Sequence, residues 1–86
     1  MHRFVVASTQ AFGRLIALCD SEGGFHVART SAGSPPVGTR LTGNGPALGF
    51  GLLLGEQIDV VYRVTFEAVH CGRDAAMRSM QVSLTH

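Results

Sequence analysis

The sequence predicts an all-β protein, a small antiparallel barrel of five to seven strands, and three observations carry that reading. Residues 58–68 alternate apolar and polar side chains over the length of a long strand. Shorter apolar runs elsewhere are separated, at turn spacing, by clusters of Gly, Pro, Asn, Asp and Ser. No window sustains an apolar period of about 3.6 residues over several turns, so a helical architecture has nothing to build on. With 86 residues the chain makes one domain around one core.

Along the chain, Arg3 to Thr9 reads as a first strand, joined to the next through Gln10-Ala11-Phe12-Gly13 or continuing into it across a bulge at Gly13. Arg14 to Cys19 and Phe25 to Thr30 form a hairpin about Asp20-Ser21-Glu22-Gly23-Gly24, whose acceptor side chains and glycines suit a tight reversal. Pro35 and Pro36 lack donors, so no ladder continues through Ser31 to Pro36. Val37 to Thr42 and Ala47 to Leu54 are two further strands on either side of the turn Gly43-Asn44-Gly45-Pro46.

The longest strand runs from Ile58 to His70. Ile58, Val60, Tyr62, Val64, Phe66 and Ala68 share the core side, and Asp59, Val61, Arg63, Thr65 and Glu67 the solvent side. In the tail, Asp74 is a possible helix cap before Ala75-Ala76-Met77-Arg78, while Met80, Val82 and Leu84 alternate; a strand over Arg78 to Thr85 is the favoured expectation.

Charged residues make up only 15 % of the chain and apolar residues 45 %, a balance that folds and does not stay disordered. The net charge of +1 supplies no long-range field to concentrate a polyanion. His2 and Arg3 precede an apolar stretch as in a secretory leader. Ser8, Thr9, Gln10 and Arg14 break that stretch, and no run approaches a membrane span, so a cytoplasmic protein without membrane contact is expected. Cys19 and Cys71 then read as ordinary thiols. Cys19, His26, His70 and Cys71 do not offer the paired spacing of a structural zinc site, so neither metal nor cofactor is expected.

The repeated G-x-G spacing at Gly43, Gly45, Gly49, Gly51 and Gly55 lacks the strand-to-helix context of a dinucleotide fingerprint and reads as turns and close strand crossings. His26 beside Asp20 or Glu22, with Cys19 or Ser21 as nucleophile, is the most that can be assembled as a catalytic set, and no enzyme is expected.

The hairpin from Gly13 to Val27, a glycine, a strand, a short polar-glycine loop and an aromatic strand, resembles the opening hairpin of cold-shock and other oligonucleotide-binding (OB) small barrels. Gly49-Phe50-Gly51 is similar to the Gly-Phe-Gly of the cold-shock RNA-binding strand, here downstream of that hairpin. The resemblance implies an OB-like barrel; the fold expected for the chain is a small barrel, OB-like or SH3-like. It also implies a single-stranded nucleic-acid surface on which bases stack against aromatics flanked by cations. In this chain that surface would take Phe25, Phe50 and Phe12 with Arg14, Arg29 and Arg40, since Tyr62 and Phe66 fall on the core side of their strand.

The leading expectation is a binding or assembly module, forming a homo-oligomer or holding a protein partner. In so short a chain apolar burial and ordering entropy nearly cancel, which favours sharing apolar surface. Leu52, Leu53 and Leu54 are the expected contact, because consecutive leucines in a strand point to both faces. On that reading a charge at Leu53 weakens association and leaves the fold intact.

Overall fold

The computed structural model describes residues 2–10, 13–57 and 59–84, with side chains as far as Met80. The elements are β1 (His2–Thr9), β2 (Leu15–Asp20), β3 (Phe25–Thr30), β4 (Arg40–Gly43), β5 (Gly49–Gly55), β6 (Val61–Cys71) and a helix, α1 (Arg73–Leu84). The strands close into an antiparallel barrel in the order β1-β2-β3-β6-β5-β4, with β4 returning to β1. Closure gives every strand a neighbour on both sides, although the short β4 reaches Leu53–Gly55 of β5 and not Gly49–Leu52.

Phe4, Val6, Ile16, Leu18, Ala28, Leu41, Leu53, Val64 and Phe66 fill the barrel, one alternate row from each strand. A second apolar layer lies outside it, where Leu15, Ala17 and Val27 of β2 and β3 meet Ala76 and Met80 of α1. β2 is therefore buried on both faces, which is why Leu15 to Leu18 is a continuous apolar run.

The tail forms α1 over Arg73–Leu84, not the expected strand over Arg78 to Thr85. Ala75, Ala76, Met77 and Arg78 favour a helix intrinsically, the Gly72 carbonyl accepts the Ala76 N–H at 3.1 Å to start it, and Asp74 sits at its positive end. Ala76 and Met80, one turn apart, supply the buried contact. Gln10, also buried, fastens the far end: its Nε2 donates to the Met80 carbonyl at 2.8 Å while its Oε1 accepts the Leu15 N–H at 3.3 Å. A Cβ on Gly13 would collide with that amide, which explains the glycine there better than a bulge does. The bulge in β1 falls instead between Val6 and Ser8.

Two other expectations shift. Residues 37–39 are not strand: Gly38, at φ 92°, turns the chain into β4, and its N–H still reaches the Val6 carbonyl at 2.8 Å. β6 begins at Val61, and Ile58 lies outside the described residues. Val64 and Phe66 face the core and Tyr62 packs against it, but bulges opposite β3 then reverse the phase, so that Ala68 turns to α1 and Val69 to the barrel interior.

Candidate binding surface

The barrel has two outer faces of different character. α1 covers β2, β3 and the end of β6, whereas among the described residues no element covers the outer face of β1, β4, β5 and the start of β6. β5 gives that open face its chemistry by an inverted pattern. Its inward positions are Gly49, Gly51, Leu53 and Gly55, and its outward positions are Phe50, Leu52 and Leu54. Two of the glycines have separate reasons: a Cβ on Gly51 would stand 3.0 Å from the Phe66 ring, which with Val64 occupies the interior, and Gly49 takes a φ of 101° that a side chain would disfavour.

The outward side chains are accordingly open, with Phe50 71 %, Leu52 48 % and Leu54 38 % exposed and Val61, opposite Leu54, 53 % exposed. Leu53 is 1 % exposed and belongs to the core. It is removed from the expected contact set, and a charge there would break the barrel instead of sparing it. Leu52 and Leu54 lie where a partner can reach them.

The cations around this stripe follow from register. Arg63 of β6 stands opposite Leu52, and Arg3 of β1 stands opposite Thr42, which in turn stands opposite Leu54. Phe50, Arg14, Arg29 and Arg63 line one groove of about 400 Å³ at the upper end of the stripe. Arg14 Nη1 donates to the Ser31 carbonyl at 2.7 Å, and Arg29 Nε pairs with Glu67 at 2.7 Å. The Arg63 guanidinium makes no hydrogen bond or ion pair among the described residues, and sequence reasoning missed it; its place on the solvent side of the long strand was the available signal.

The remaining members of the expected nucleic-acid set lie elsewhere. Phe25 is half-buried against the α1 layer, Arg40 lines a separate depression of about 470 Å³ with Val37, Glu56 and Tyr62, and Phe12 lies outside the described residues.

The histidine and acid nominated in the first hairpin do meet. His26, fully buried, has Nε2 2.7 Å from Asp20 Oδ2, while its Nδ1 accepts the backbone N–H of His70 at 3.0 Å. With Nδ1 accepting that bond, Nε2 is the nitrogen that donates to Asp20. Burial pushes the Asp20 carboxyl upward, but hydrogen bonds from His26 and from the N–H groups of Gly24 and Glu22 outweigh it and hold the group below its usual range. Both ring nitrogens are committed within the fold, so neither is free for a substrate or a metal. Cys19 and Cys71 are free thiols on either side of Phe25 in the β2-β3-β6 register.

No helix among the described residues is long and apolar enough to cross a membrane. Searches against protein families, curated proteins and solved structures found no match to this chain.

Proposed function

We propose that the chain is a non-catalytic binding and assembly module that engages another protein through the outer face of β5. The observation that carries this reading is the inversion of that strand, which turns glycine to the core and Phe50, Leu52 and Leu54 to the outside. An ordinary half-buried strand does the opposite, and apolar side chains gathered on one uncovered face are a feature of contact surfaces. Its two free thiols suit a reducing cytoplasm.

The test is site-specific photocrosslinking in cells. A photoreactive residue at Leu52 is expected to give discrete protein adducts, of a second copy or of another protein, and the same residue at exposed Glu22 is expected to give none. Equal adducts from both positions, or none from Leu52, overturn the reading.

A second reading, single-stranded nucleic-acid binding by an OB-like surface, is favoured by the meeting of exposed Phe50 with Arg14, Arg29 and Arg63 in one groove. It is tested by light scattering after size exclusion with a labelled oligonucleotide at two salt concentrations. Salt-sensitive co-migration that weakens in Phe50→Ala and Arg63→Ala supports it, and migration independent of the oligonucleotide rejects it.

A further inference from the structure

The occupant of the β5 face can be specified further, on the reading that this face is the protein contact. Phe50, Leu52 and Leu54 project at steps of two strand residues, about 7 Å, close to the roughly 6 Å between residues four apart on one face of a helix. The barrel already receives a helix on its other side, where Ala76 and Met80 of α1 lie on Leu15, Ala17 and Val27. Closure confines the alternative of an added strand to Gly49–Leu52, the four residues of β5 that β4 does not reach, too short an edge to cover Leu54 as well.

Charge selects among helices. Arg63 flanks the stripe on the β6 side and Arg3 on the β1 side. The acid on the neighbouring stretch of β6, Glu67, is engaged by Arg29, and Glu56 and Asp59 lie beyond the stripe in the β5–β6 connection. A two-fold pairing of identical copies about an axis running across the strands through Leu52 and Arg63 would bring Arg63 against its own equivalent, whereas an acidic flank meets it with opposite charge. Nucleic acid fits less well: Leu52, Leu54 and Val61 are aliphatic and provide no stacking plane. We propose that the Phe50–Leu52–Leu54 face docks an amphipathic helix of a partner protein whose apolar stripe is bordered by acidic residues.

The experiment uses two fluorescein-labelled helical peptides of about 18 residues, five turns, with the same leucine stripe bordered in one by glutamate and in the other by lysine. Fluorescence anisotropy against the whole protein is expected to favour the glutamate peptide by at least about tenfold. Arg63→Glu should abolish or reverse that preference, Leu52→Ser should weaken both peptides, and Arg73→Glu, at the start of α1, should change neither. Circular dichroism of each variant checks that the barrel is intact. Equal binding of the two peptides, a preference unaltered by Arg63→Glu, or displacement of the glutamate peptide by oligothymidylate at lower concentration than by unlabelled peptide overturns the proposal. If crosslinks form at Leu52 but the peptides are not distinguished, the helix assignment fails and the contact face stands; if no crosslinks form there, both fail.

Discussion

His26 Nδ1 accepts the backbone N–H of His70, 44 residues further along the chain, at 3.0 Å. The bond joins the first hairpin to the end of β6 at a point where the backbone of His70 takes φ 54°, a left-handed value uncommon outside glycine. The two imidazoles also meet edge to face with ring centres 5.1 Å apart, and Phe4 meets His26 on the barrel side at 5.8 Å. His26 is thus a structural joint, satisfied at both nitrogens and packed on two sides.

Replacing His26 by alanine opens a buried cavity and takes the partner from Asp20 Oδ2 and from the His70 N–H. The expected cost is about 2–4 kcal/mol of unfolding free energy, read from urea denaturation, with no change in the slope of the transition. A loss below about 0.5 kcal/mol would show that the joint contributes nothing to stability.

The Asp20 carboxyl is held below its ordinary value of 3.8 by bonds that exist only in the folded chain. Its contribution to stability is therefore present above that value and disappears as pH falls through the lower, folded-state value. Stability measured by denaturant titration from neutral pH downward should decline in acid, and Asp20→Asn should start lower at neutral pH and decline less steeply. Parallel curves for the two proteins would contradict the assignment.

Leu52 and Leu53, adjacent in sequence, should behave oppositely. Leu53→Ala removes a core side chain and is expected to cost about 2–5 kcal/mol. Leu52→Ala should stay within about 0.5 kcal/mol of the parent while reducing the yield of protein adducts from a photoreactive residue placed at Leu54. Thermal melts and crosslinking on the same two variants decide the matter.

Gln10 should control the helix. Gln10→Leu leaves the Leu15 N–H and the Met80 carbonyl without their partner, at about 1–3 kcal/mol in all. Amide exchange along α1, from Ala76 to Met80, is expected to quicken more than exchange in β5. Uniform acceleration throughout the barrel would mean that the helix has no separate opening.

Much of the barrel was legible in the residues. The alternation of Tyr62, Val64 and Phe66 and the Asp20 to Gly24 reversal are local patterns, and local patterns survive tertiary context, whereas the expected tight turn at Gly43 to Pro46 is a longer connection from β4 to Gly49. The helix was not legible, because Met80, Val82 and Leu84 alternate like a strand and the surface that captures Ala76 and Met80 belongs to residues 15–27. Likewise the apolar run Leu52 to Leu54 does not announce which leucine turns outward; that follows from the register with β6, where Phe66 and Val64 fill the space beside Gly51. For His26, the spacing suggested Asp20, but no local signal pointed to His70. The groove was half visible: Arg14, Arg29 and Phe50 converge, while Arg63 joins them only through the β5–β6 register.

The placement of β6 between β3 and β5 has a consequence for synthesis. As the polypeptide leaves the ribosome, β1 can pair with β2 and β4, and β5 with β4, but β3 and β5 each wait for a neighbour that is translated later. A nascent polypeptide halted before Val61 is an open sheet with two unpaired rims, and one of those rims is β5 itself, with Phe50 and the leucines alongside. Translation through Cys71 seals both rims at once, so the interval before that residue emerges is when the polypeptide is most exposed to aggregation and has most need of a chaperone.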